Sequence, residues 1–211
     1  ISHYLAEMDL RKHASPNYKV SIYKDLTAFF KWAYWKHYID NDIARDVEPV
    51  RPVQKKKERL TDEEVEKCRV VASKDPREAA LFELMLSTGM RVGEIATLRI
   101  ENIDFNENEI KIWGEKTSTE RVGFLTPSAK IALKRYLNGR TEGFVMKNKQ
   151  NDNHMSKTKL EEMAKKIARN AGCTVNATLH VYRKTFASVL YRKTGNILLV
   201  SKLLGHADTR T

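Results

Sequence analysis

The sequence predicts a mainly helical α+β chain in two parts, the second of which holds one small antiparallel β-hairpin. Apolar residues recur at three- and four-residue steps through most of the 211 residues, the period of a helix with one buried face. That period gives way to strict alternation only in "EIKIW" and "ERVGFL". Between the two parts, prolines and a lysine run interrupt both patterns.

The elements follow in order. In "SPNYKVSIYKDLTAFFKWAYWKHYID", Ile22, Leu26, Phe29, Phe30, Ala33 and His37 predict one long helix. Eight of the eighteen aromatic residues fall between Tyr18 and Tyr38, and such a stripe is expected to form the core of a small helical bundle rather than a base-stacking platform. A start at Ile1 rather than Met leads us to expect that this bundle is incomplete. Pro49 and Pro52 then break the helix, and Lys55, Lys56 and Lys57 repel one another. Residues 49–59 therefore read as an extended basic linker between a helical domain, 1–48, and a larger domain, 60–211.

The larger domain opens with "LTDEEVEKC", where Thr61 and Glu64 form a capping box and Asp62 and Glu63 favour the positive end of the helix dipole. Helices are expected over 61–72 and 76–88, then two strands joined by the turn "GEKTST", then helices over 127–138, 156–171, 178–193 and 196–204. Gly205 is placed to end the last of these in the left-handed conformation, and Asp208 to cap a further one.

Composition limits the function. An apolar content of 41% supports a real core. No run approaches eighteen apolar residues, so neither a membrane span nor a signal peptide is expected. Cys68 and Cys173 lack any CxxC or Cys/His spacing, which argues against a disulfide framework and a zinc site and fits a reducing cytosol. The net charge of +11 is uneven. Residues 1–50 and 61–150 each balance, whereas 51–60 carry five basic groups against one acidic, and 151–211 eleven against four. A basic linker and a basic C-terminal third suit a polyanion, because neutralising phosphates releases counterions; a solvated charge run is the alternative.

Two segments carry chemistry. In "TLHVYRKTFASVL", Leu179, Tyr182, Phe186 and Leu190 form an apolar stripe, which leaves His180 and Arg183 three residues apart on a neighbouring face. In "STGMRVGEIATL", Arg91 follows Gly89, where a helix is expected to end. Two forked guanidiniums suit the non-bridging oxygens of a phosphodiester. Either arginine alone fits equally a structural pair with a carboxylate such as Glu94.

Taken together, "STGMRVGEIATLRIENIDF", "LHVYRKTFAS" and "LLGHADTRT" resemble, in order, the first arginine box, the His-x-x-Arg box and the Leu-Gly-His box of the tyrosine recombinase (phage integrase) family. The resemblance covers 61–211 well, and 1–50 by position more than by motif. It implies a tyrosine-recombinase catalytic domain preceded by a helical, SAM-like core-binding domain. It also implies a site-specific DNA recombinase or integrase that works through a 3′-phosphotyrosyl intermediate, as a tetramer on paired sites in double-stranded DNA, within the cytoplasm and its nucleoid.

By that resemblance Arg91 and Arg183 clamp the scissile phosphate, His180 assists proton transfer with the nucleophile, and His206 hydrogen-bonds the phosphate. Lys116, in the hairpin turn, is similar to the family's mobile lysine and general acid; Lys111 lies nearby but within the strand pattern. Glu94 would support Arg91. Lys55, Lys56, Lys57, Arg121 and Lys184 are expected to touch the DNA backbone. The family's nucleophilic tyrosine would fall just beyond Thr211, so the chain as printed is expected to be inactive; Tyr136, Tyr182 and Tyr191 are poor substitutes. No cofactor is implied: there is no P-loop, no HExxH, no carboxylate cluster, and His3, His13, His37 and His154 lack ligand spacing. Where the family often reads His-x-Leu-Arg-His, this chain has Tyr182 and Lys184 in place of the Leu and the second His. A type IB topoisomerase shares the chemistry, and a non-catalytic DNA-binding regulator would share only the scaffold.

Overall fold

The computed structural model describes residues 3–5, 7, 15–52, 58–114, 120–148 and 150–205. The chain divides into two compact units, Ile1–Lys57 and Glu58–Thr211.

In the first unit, α1 runs Pro16–Trp35. The Ser15 hydroxyl accepts the Tyr18 N–H at 3.3 Å, and Pro16 occupies the first helical position, where a missing N–H costs nothing. The aromatic stripe does not form the expected core among the described residues. Val20 and Ala33 are buried, but Phe29 is 55% and Trp35 69% exposed. The rings instead pack along the helix surface, Phe29 against Phe30 at 5.3 Å and Trp32 against Tyr38 at 5.5 Å. His37 lies past the helix end at φ +57°, where its place in the stripe is lost.

The second unit contains α2 (Asp62–Ala72), α3 (Pro76–Thr88), α4 (Val92–Thr97), a 3-10 turn (Ile100–Asn102), β1 (Ile103–Asp104), β2 (Glu109–Trp113), β3 (Glu120–Phe124), α5 (Pro127–Leu137), α6 (Lys157–Asn170), α7 (Leu179–Thr194) and α8 (Ile197–Leu204). The Thr61–Glu64 capping box has both its halves, at 2.9 and 3.2 Å. α4, the 3-10 turn and β1 were not foreseen, since each is too short to show a period.

α3 is the spine of this unit, packed on α2, α5, α6 and α7. Leu81, Phe82, Leu84 and Met85 are fully buried there. Tyr182 of α7 meets Phe82 edge-on at 5.8 Å, and its hydroxyl donates to the Ala164 carbonyl of α6 at 3.1 Å. At the start of the unit, the Leu60 N–H donates to Thr185 Oγ1 at 3.0 Å, which ties the chain entry to α7. Cys68 and Cys173, 105 residues apart, bring their sulfurs to 3.4 Å as free thiols, and burial pushes the Cys68 thiol up to about 12.

The sheet is antiparallel in the order β1-β2-β3, with Ile110 opposite Gly123, Ile112 opposite Arg121 and Trp113 opposite Glu120. Ile110 and Ile112 face the core, while Trp113, Val122 and Phe124 face solvent. Strand alternation therefore puts Arg121 and Gly123 on the inward side of β3. Among the described residues, no helix is long and apolar enough to cross a membrane, and no group of His, Cys, Asp and Glu is placed to hold a metal ion.

Candidate functional site

The site begins where α3 stops. Gly89 closes that helix in the left-handed conformation, φ +59°, and a Cβ there would lie 2.3 Å from the Phe186 ring. The chain can therefore turn tightly against α7 only with glycine at this point. Arg91 follows as the N-cap of α4 and Glu94 stands at its third position. The Arg91 N–H donates to Glu94 Oε2 at 2.7 Å, and Arg91 Nη1 donates to Glu94 Oε1 at 3.0 Å.

The Glu94 side chain is fully buried, and a second arginine accounts for its charge. From the inward face of β3, Arg121 Nη1 and Nη2 donate to Glu94 Oε1 and Oε2, both at 2.8 Å, a bidentate fork. Burial by itself pushes the Glu94 carboxyl upward. The bonds from Arg121 and Arg91 outweigh it and hold the group below the usual carboxylate value.

A third arginine completes the arrangement. Arg183 of α7 is buried, with Nη1 donating to the Gly89 carbonyl at 2.6 Å and Nη2 to the Leu204 carbonyl at 2.7 Å. Arg121 Nε donates to the Leu203 carbonyl at 2.9 Å, and Arg91 Nη2 to the Gly205 carbonyl at 3.3 Å. Three successive carbonyls at the end of α8 thus each receive an N–H from a different arginine. These carbonyls are free to accept because a helix leaves its last four without intrahelical donors, and they carry the negative end of the helix dipole.

Arg91 and Arg121 bond the one carboxylate of Glu94, and Arg183 feels its charge through space. Burial, and next the charge of Arg91, lower Arg183 to about 10, so it stays charged at neutral pH yet in an environment already rich in positive charge. His180, one turn before Arg183, stands on the exposed face of α7. Partial burial, then the charges of Lys184 and Arg183, hold its imidazole below the usual value against the opposing pull of Glu161. That direction favours the neutral imidazole, the form able to accept a proton.

The structure thus brings Arg91 and Arg183 onto one stretch of backbone, with Glu94 bonded to Arg91 and with His180 and Lys184 beside Arg183 on α7. Tyr182 points the other way; burial holds its phenol well above the usual range, and its hydroxyl already donates a hydrogen bond to the Ala164 carbonyl. Arg121 corrects the sequence reading. Expected to touch the DNA backbone, it has a side chain only 11% exposed and all three nitrogens donated inside the protein. Lys116, His206 and the linker residues Lys55, Lys56 and Lys57 lie outside the described residues.

Residues 58–211 match the family model described as the phage integrase family. The chain is 28% identical over 186 residues to the tyrosine recombinase XerA of Saccharolobus solfataricus, covering 87% of this chain and 57% of that protein. Against XerA of Pyrococcus furiosus it is 31% identical over 157 residues, covering 72% of this chain and 54% of the relative. The chain therefore spans little more than half the length of these two curated relatives. It also superposes, at 22% identity and a TM-score of 0.80, on the XerH site-specific recombinase bound to a palindromic difH substrate in a post-cleavage complex, covering 99% of this chain and 66% of that one. At that identity the likeness is one of fold.

Proposed function

Because the chain belongs to the phage integrase family, we propose that it carries the phosphate-activating part of a site-specific DNA recombinase or integrase, which cuts and rejoins strands by transesterification through a 3′-phosphotyrosyl intermediate. One observation carries this reading. Three arginines converge on three adjacent carbonyls, two of them also bonding one buried carboxylate, with Arg183 depressed by burial and by its neighbours' charge. A phosphodiester would restore the balance: its non-bridging oxygens suit forked donors, and the charge that grows on them in the transition state is met more strongly than in the ground state.

In this mechanism Arg91 and Arg183 hold the scissile phosphate and His206 hydrogen-bonds it. The family's nucleophilic tyrosine attacks phosphorus and gives its proton to His180. As the tyrosyl O–P bond forms, the P–O5′ bond breaks and Lys116 protonates the departing 5′ oxygen. A partner strand's 5′ hydroxyl later attacks the same phosphorus and releases the tyrosine. The phosphotyrosyl bond conserves the energy of the broken one, so neither ATP nor a metal is needed. The enzyme would act as a homo-tetramer on paired sites in double-stranded DNA, in the cytoplasm and its nucleoid, with Lys55, Lys56, Lys57 and Lys184 on the DNA backbone.

The test uses the full-length protein and a duplex selected for binding from a random-sequence library. We expect a denaturant-resistant protein–DNA adduct that forms slowly with Lys116→Ala and regains its rate when the leaving group is a 5′ thiol, which needs little protonation. A wild-type protein that binds the duplex and never becomes attached to it would contradict the proposal.

A further inference from the structure

We infer that Arg121 is a positioning residue for the proposed reaction: it registers the C-terminal end of α8, and with it the segment leading to His206, against Glu94 and the guanidinium of Arg91. The inference rests on the recombinase reading and goes beyond it, since Arg121 touches no reacting atom in that mechanism.

Four observations support it. First, three of the five N–H groups of Arg121 are used inside the protein, with Nη1 and Nη2 on Glu94 and Nε on the Leu203 carbonyl, and its side chain is only 11% exposed. Second, Glu94 Oε1 accepts from both Arg121 Nη1 and Arg91 Nη1, so the two guanidiniums are fixed through one oxygen. Removing Arg121 would leave a fully buried carboxylate that has lost one of its two hydrogen-bonded guanidiniums, and would draw Arg91 toward it. Third, Gly205 packs directly on the aliphatic stem of Arg121: a Cβ at Gly205 would lie 3.0 Å from Arg121 Cδ. The stem thus sets the position of the residue just before His206. Fourth, β3 begins at Glu120, immediately after residues 115–119, which include Lys116. One side chain therefore joins the strand that follows the proposed general acid to the helix end that precedes the second proposed histidine.

A displacement of about 1 Å at reacting groups costs on the order of a hundredfold in rate. The experiment compares Arg121→Ala and Arg121→Lys with wild type in the full-length protein, on the selected duplex. Two quantities are read: the slope of log affinity against log salt, and the single-turnover cleavage rate at saturating DNA. We expect the slope to stay unchanged and the affinity to shift by no more than about threefold. The cleavage rate should fall about a hundredfold for Ala and about tenfold for Lys, which keeps the charge opposite Glu94 without the fork. Arg121→Ala combined with Arg91→Ala should be no slower than Arg91→Ala alone, the signature of action through Arg91.

If Arg121 instead meets a DNA phosphate, the slope becomes shallower by about one unit and cleavage at saturating DNA is unchanged. That result, or a strictly additive double variant, overturns the inference while leaving the recombinase reading intact. Should Arg121→Ala fail to fold, Arg121→Lys carries the same comparison. A wild-type protein that forms no adduct removes the recombinase reading and this inference with it.

Discussion

Three helices of the second unit end on a left-handed glycine, and they are not alike. At Gly195, φ +64°, closing α7, the N–H bonds back to the Tyr191 carbonyl at 2.8 Å and an added Cβ would meet nothing within 4 Å. At Gly89 and Gly205, φ +59° and +66°, a Cβ would press on the Phe186 ring or on the stem of Arg121. The carbonyls of these two glycines also accept from Arg183 and Arg91. The same backbone device closes a helix at all three places. It becomes part of a site only where the missing side chain lets an arginine and a neighbouring element come close to the exposed carbonyls.

The sharpest way to break this contrast is Glu94→Gln. It removes the carboxylate shared by Arg91 and Arg121 and turns an amide toward arginine donors, at a cost of about 4 kcal/mol in urea unfolding. The pH dependence carries the same information. With its folded value below the usual one, Glu94 contributes fully above the ordinary glutamate range, and that contribution is lost as pH falls through the depressed value. The glutamine variant should lack this part of the acid limb; identical acid limbs would mean that Glu94 is not held as an ion.

Smaller in effect is Gly89→Ala, which combines a left-handed alanine with a Cβ 2.3 Å from Phe186, and should cost about 3 kcal/mol. Gly195→Ala has the backbone strain alone and should cost about 1 kcal/mol. Equal losses at the two positions, measured by the same urea titration, would erase the distinction between a packed and an open helix end.

The regular elements of the second unit were legible in the sequence because their periods are long enough to see: the helix over 76–88 is observed as Pro76–Thr88, and "EIKIW" as β2. The arginines at 91 and 183 could be picked out because two glycine- and histidine-bearing motifs surround them. Arg121 was misread because a charged residue on a strand suggests solvent. Yet the alternation used to identify that strand already put it on the face of Gly123 and Leu125, and that signal would have turned it inward. The three carbonyls of α8 had no signature at all, since a backbone acceptor looks the same in every sequence. In α1 the aromatic stripe predicted a helix correctly and its burial wrongly, because periodicity reports which side chains share a face and not what covers them.

The proposed role of Arg91 and Arg183, the first exposed and the second buried, is to activate a phosphate rather than merely to bind DNA. It is tested most directly by Arg183→Ala in the full-length protein, compared with wild type at equal occupancy of the selected duplex. The expected outcome is an affinity within about threefold of wild type and no detectable covalent adduct. An adduct yield equal to that of wild type would take Arg183 out of the site and contradict the account.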